Sequence, residues 1–111
     1  MQVDFVEQGE RLVARPKGRM EAPDGDSFAA SLEERLTPAT RAVTIDLDQL
    51  EFVNFGGIRA LLRLARSLKS GERTLEFERG GETVRDALDQ AGLDDLFPFT
   101  PPYVSNKGIQ R

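Results

Sequence analysis

Three carboxylates, Asp46, Asp48 and Glu51, lie close together just ahead of a glycine pair, Gly56-Gly57. Carboxylates at short spacing can do general acid–base work. Glycines at the start of a helix can cradle a phosphate on exposed backbone N–H groups. Neither chemistry is completed here. The chain has no cysteine and no histidine, so it lacks a thiol nucleophile, a thiolate metal site, and the commonest general base and metal ligand. The carboxylates have no recognisable partner base or nucleophile, and Asp46 is expected to end a strand and satisfy turn amides. Gly56-Gly57 matches neither G-x-x-x-x-G-K-[ST] nor G-x-G-x-x-G. Asp24-Gly25-Asp26 lacks the further oxygen ligands and closing glutamate of an EF-hand loop. No catalytic residue, cofactor or metal is expected, and the chain reads as a binding protein, not an enzyme.

The residues that remain are suited to contact. Asn54 is a good N-cap for the helix that follows, and Val53 with Ile58 stands at the spacing of a hydrophobic staple. That structural account covers Asn54, Gly56 and Gly57. It leaves Phe55, a large ring beside two glycines at a turn tip, which is either tucked inward or an exposed binding anchor. Arg59, Arg63 and Arg66 follow at i, i+4 and i+7. They form either a solvated outer face or a contact with an acidic partner surface.

The elements that must position these residues are legible. Ala42–Leu47 is a compact apolar run with β-branched Val43, Thr44 and Ile45, a buried strand. Ile58, Leu61, Leu62, Ala65 and Leu68 share one helical face, predicting a helix from about Gly57 to Lys69. Glu51–Gly57 is expected as the exposed turn between them. Upstream, Gln2–Glu7 and Arg11–Arg15 read as strands of a hairpin about Gln8-Gly9-Glu10. Pro16 and Gly18 are expected to end the second strand, with Arg19–Pro23 a loop. Asp26 or Ser27 is then the expected N-cap of a first helix with Phe28, Leu32 and Leu36 on one face, stopped by Pro38. Downstream, Arg73–Glu78 alternates as a strand with one wet face, and Glu82–Ala91 forms a helix closed by Gly92. Leu93–Phe97 is a short helical turn with two apolar anchors. The prolines beyond it forbid regular helix, and 101–111 reads as a tail after a domain at 1–100.

The order β-β-α-β-α-β-α predicts a single α/β domain, with a mostly parallel sheet of four to five strands against three to four helices. Net charge is −4, with 15 basic and 19 acidic residues, which argues against nucleic acid as a partner. No window approaches the length of a membrane span and the N-terminus has no leader pattern, so a cytoplasmic location without membrane insertion is expected.

These residues together resemble the STAS domain of bacterial anti-sigma factor antagonists. Gly18-Arg19-Met20-Glu21-Ala22 is similar to the family's Gly-x-Leu-Asp/Glu-Ala. Val43–Leu50 is similar to its hydrophobic strand ending in Asp-Leu. Phe52-Val53-Asn54-Phe55-Gly56-Gly57-Ile58 stands where the family has Phe-Ile-Asp-Ser-Ser-Gly-Leu, and Ala91–Phe97 is similar to its Gly-Leu-x-x-Leu-Phe ending. The resemblance implies partner switching: an antagonist binds an anti-sigma factor that is a serine-kinase-like ATPase, and phosphorylation of the second serine releases it. In this chain Asn54 stands for the aspartate, Phe55 for the first serine and Gly56 for the phosphoacceptor. The implied site is Asn54, Phe55, Gly56, Gly57, Arg59 and Arg63, competent to bind without the phosphorylation switch. The alternative is a non-phosphorylatable scaffold or accessory subunit of a stress-signalling or transporter complex, or a homodimer that uses the apolar area around Phe55.

Overall fold

A computed structural model describes residues 1–96 of the chain. The expectations for Phe97 and for the tail at 101–111 lie outside the described residues. The elements in order are β1 (Gln2–Gln8), β2 (Arg11–Met20), α1 (Ala22–Glu34), β3 (Ala42–Asp46), β4 (Leu50–Val53), α2 (Phe55–Ser70), β5 (Thr74–Glu78) and α3 (Glu82–Gln90), followed by a 3-10 turn at Asp94–Leu96. This is an α/β fold with a five-stranded sheet. β1 and β2 form the antiparallel hairpin, while β2–β3, β3–β5 and β2–β4 pair in parallel.

β2 organises the sheet, and it is twice as long as the sequence predicts. It does not end at Pro16 or Gly18 but runs through both to Met20. The reason lies in its neighbours. β3 pairs with β2 only as far as Ala14, and β4 takes over from Gly18. Pro16 falls in the gap between them, where no strand on that side asks for its missing N–H. Gly18 adopts φ +95°, a conformation that suits glycine, at the shift in register between Gly18 and Arg19. Its N–H donates to Gln49 O at 3.0 Å.

The expected turn at Glu51–Gly57 is therefore shorter than predicted, because Leu50–Val53 is the strand β4. β3 and β4 form one interrupted strand alongside β2. The break, Leu47-Asp48-Gln49, is closed by Asp46, whose Oδ1 accepts the Asp48 N–H at 3.0 Å. Leu50 and Val53 are buried and Glu51 is exposed, too brief an alternation to declare a strand by periodicity.

The first helix also begins earlier than expected. Arg19-Met20 is strand and Ala22-Pro23 is already helix, with Glu21 at the N-cap in place of Asp26 or Ser27. Asp24 Oδ2 accepts the Glu21 N–H at 3.1 Å, the return bond of a capping box. Proline in the first turn loses no helical hydrogen bond there.

Leu12, Ala14, Val43, Ile45 and Phe77 supply the inner face of the sheet, Phe28 and Leu32 come from α1, Leu61, Leu64 and Leu68 from α2, and Val84 and Leu88 from α3. The opposite face carries Val6 and Val13 together with paired polar residues. Lys17 meets Asp4 at 2.8 Å, Arg11 donates to Thr44 Oγ1 at 2.6 Å, and Arg15 meets Asp46 at 3.0 Å.

Candidate protein-binding surface

β4 ends at Val53 and delivers Asn54 to the start of α2. Asn54 Oδ1 accepts the Gly57 N–H at 2.9 Å, satisfying one of the orphan donors of the first turn. The Asn54 N–H donates to Met20 O at 3.1 Å, so the cap is tied to the end of β2. The ligand-binding end of an open parallel sheet is the one beyond the carboxyl ends of its strands, and α2 starts there.

The glycines have a steric reason to be glycine. A Cβ at Gly57 would stand 2.5 Å from Met20 O and 2.9 Å from a Val53 methyl. At Gly56 it would stand 2.5 Å from the Ala22 Cβ and 2.9 Å from the Ala22 Cα. At Gly25, on α1, it would meet the Ala60 Cβ at 2.8 Å. The starts of α1 and α2 thus pack backbone against backbone, and the first turn of α1 closes the space that a side chain at position 56 would need. The role of Gly25 in this contact was missed from the sequence; its spacing before Gly56 and Gly57 carries no signal until the helices are paired.

Phe55 is exposed, with 74% of its surface open. Arg59, one turn on, places its guanidinium 5.3 Å from the ring centre. Phe55, Ile58, Arg59 and Leu62 line a hollow of about 240 Å³ whose far wall includes Ala91 at the end of α3. The structure therefore brings Asn54, Phe55, Gly56, Gly57 and Arg59 together at one end of α2. Arg63 turns the other way and pairs with Asp26 of α1, both exposed. Arg66 lies on the Phe55 side, further along. The three arginines that looked like one stripe divide between two sides of the helix.

The three carboxylates do not converge. Asp48 and Glu51 are exposed and Asp46 is buried. Arg79 grips the Asp46 carboxylate with two donors, its Nε at 3.0 Å from Oδ1 and its Nη2 on Oδ2, and Arg15 Nε donates to Oδ2 at 3.0 Å. Burial by itself raises the Asp46 carboxyl, but the bonds from Arg79, the Asp48 N–H and Arg15 outweigh it and hold it below its ordinary value. Such a carboxylate is a fixed structural charge and not a proton shuttle. Arg79 adopts φ +61° at the end of β5, and its carbonyl accepts a bond from Arg85 at 2.7 Å. Arg15, Arg79 and buried Arg85 were not singled out in the sequence, because what joins them is strand pairing and a long side chain. Among the described residues, no cluster of acidic side chains is placed to hold a metal ion, and no helix is long and apolar enough to cross a membrane.

Residues 3–98 match a family model described as Mlab, STAS domain. A protein of Bordetella bronchiseptica named as an anti-sigma factor antagonist, BtrV, is 24% identical over 87 residues, 78% of this chain and 75% of its own. The structure of the anti-sigma factor antagonist SpoIIAA in its unphosphorylated form superposes with a TM-score of 0.75 at 17% identity, covering 91% of this chain and 90% of that one. The chain Mglu shares the fold over 68% of this chain, with a TM-score of 0.63 and 18% identity, but the match spans only 19% of its length. At these identities the structural likeness is one of fold.

Proposed function

We propose, for a chain that belongs to the family described as Mlab, STAS domain, that it is an anti-sigma factor antagonist-like protein that binds an anti-sigma factor with a serine-kinase-like ATPase fold, through Asn54, Phe55, Gly56, Gly57 and Arg59. The fold is that of the antagonist SpoIIAA. The observation that carries the contact is Phe55. Folding leaves this aromatic ring 74% open at the start of α2, beside an apolar hollow, and a ring so placed is a binding anchor. Position 56, which the resemblance makes the phosphoacceptor, is a glycine with no room for a side chain. Binding is on this reading constitutive, controlled by abundance or by another protein in the cytoplasm. Arg63, held by Asp26, sits at the edge of this surface and contributes less.

The test is affinity capture with the wild-type chain and Phe55→Ala in parallel. Gly56→Asp is the wrong variant, because its side chain would collide with Ala22 and disturb the α1–α2 contact. The expected result is a kinase-like anti-sigma protein retained by wild type and reduced at least about tenfold by Phe55→Ala, a loss of the size of an interface hot spot. Equal capture by both proteins overturns the contact at Phe55.

A second reading is favoured by the same closed position. A domain that cannot be switched at 56 suits a permanent accessory subunit or scaffold of a larger assembly. Such a protein captures a membrane complex or itself, and no sigma-factor regulator.

A further inference from the structure

One side of α2 carries two hollows in line, which together make a groove along the helix. Phe55, Ile58, Arg59 and Leu62 line the first hollow; Ala65, Arg66 and Lys69 line a second of about 430 Å³ with Arg73, Thr74, Leu75 and Leu96. The α2 positions are i, i+3, i+4, i+7, i+10, i+11 and i+14, a single face of a helix with 3.6 residues per turn. The groove follows the helix for about 21 Å at 1.5 Å per residue. Its floor is apolar and its charged residues have one sign. Among the described residues no acidic side chain lines either hollow, whereas Arg59, Arg66, Lys69 and Arg73 do. α2 itself contains no Asp or Glu from Phe55 to Ser70 in a chain of net charge −4. Arg63 is neutralised by Asp26 and Arg73 is committed to the Thr40 and Thr37 carbonyls. Among the described residues, Arg59, Arg66 and Lys69 have no ion pair.

We infer that this groove docks an acidic amphipathic helix of a partner protein. Its apolar side chains, at three- and four-residue spacing, enter between α2 and the wall to which Ala91 and Leu96 contribute, and its carboxylates meet Arg59, Arg66 and Lys69. A helix is the matching element because the groove wall is a helix face, whose ridges accept those of another helix. Cations around an apolar floor favour an acidic partner and repel a basic one. The inference rests on α2 being the contact surface and extends the contact a further turn and more beyond Phe55, to a partner of stated chemistry.

The test titrates the full-length 15N-labelled chain with a helix-stabilised peptide of about 14 residues, the length of the groove. The peptide carries leucine on one face and glutamate on the rest; a twin carries lysine for every glutamate. The expected result is saturable shifts of backbone amides between 55 and 73 with the glutamate peptide, at least about tenfold weaker binding of the lysine twin, and a similar loss in Arg66→Glu/Lys69→Glu. The amide spectrum away from α2 reports that this variant is folded. Equal affinity for both peptides, shifts that map elsewhere, or no effect of the charge reversal overturns the inference. So do groove amides that move with protein concentration alone, which makes a second copy the occupant. Movement of the same amides in peptide-free Phe97→Ala/Phe99→Ala makes the chain's own C-terminal segment the occupant and overturns it equally. The antagonist reading fails separately. It is read by capture with Phe55→Ala, and Arg66→Glu/Lys69→Glu leaves residues 54–57 untouched.

Discussion

The two sides of α2 are opposites. Toward α1 the helix meets its neighbour through Gly56, Gly57 and Ala60 against Ala22 and Gly25, so closely that added methyl groups would overlap the facing atoms. Toward α3 the same helix carries Phe55, Ile58, Leu62 and Ala65 above open hollows. One side is closed by backbone contact and the other is left unfilled by the described residues. The difference is residue size. Glycine and alanine let two helices approach until no side chain can intervene, while large side chains with no helix to face remain available to another molecule. The position that the family resemblance makes a regulatory hydroxyl falls on the closed side, and the exposed ring falls on the open one.

One methyl added to the closed side should have the largest effect on the molecule. Alanine for glycine inside a helix ordinarily gains about 1 kcal/mol. Gly57→Ala should instead cost about 3 kcal/mol, because its Cβ would lie 2.5 Å from the Met20 carbonyl oxygen. Urea unfolding with an unchanged slope measures it. A midpoint at or above wild type would mean that the α1–α2 contact is loose.

Next in size is Asp46, which pins the break between β3 and β4 and so sets where α2 starts on either side. Asp46→Asn should cost about 2 kcal/mol at pH 7, since the two arginines lose their carboxylate. The folded state holds this carboxyl below its ordinary value of about 3.9. Its contribution is therefore present above pH of about 4 and lost as the pH falls through the lower folded value. Wild-type stability should decline over that acid range, and the decline should be shallower in Asp46→Asn when unfolding is followed from pH 6 down to pH 2 (roughly the span of carboxylate titration). Parallel acid limbs would remove Asp46 from the account.

Arg63→Ala should have the smallest effect, under about 0.5 kcal/mol, because its pair with Asp26 is exposed on both sides and screened by solvent. Thermal melts at low and high salt check it. A larger, salt-sensitive loss would show that charge, and not close packing alone, holds the closed side.

The legible part of the site was its local chemistry. Asn54 does cap α2, as its type and place before the helix implied. The buried run of β3 and the apolar face of α2 follow from their own periodicities. The missing parts are all long-range. β4 is four residues long, below what alternation can signal, and exists because β2 continues past Pro16 to receive it. That continuation depends on β3 stopping at Asp46, which no property of Pro16 or Gly18 announces. Arg15 and Arg79 reach one carboxylate across 31 and 33 residues of chain. Arg63 looked equivalent to Arg59 and Arg66, because a helical pattern specifies relative angle and not which neighbour each angle faces.

The α/β class, the lack of cysteine and histidine, the cap at Asn54 and the glycine at position 56 were all legible in the residues themselves. These are properties of residue type, nearest neighbours and period, and they need no partner in space. Packing in three dimensions is what closes position 56, leaves Phe55 open and divides the arginines of α2 between a closed and an open side. Each of those depends on which helix lies within a few ångströms of which face of α2, a distance set by the packing of α1 and α3 on the shared sheet.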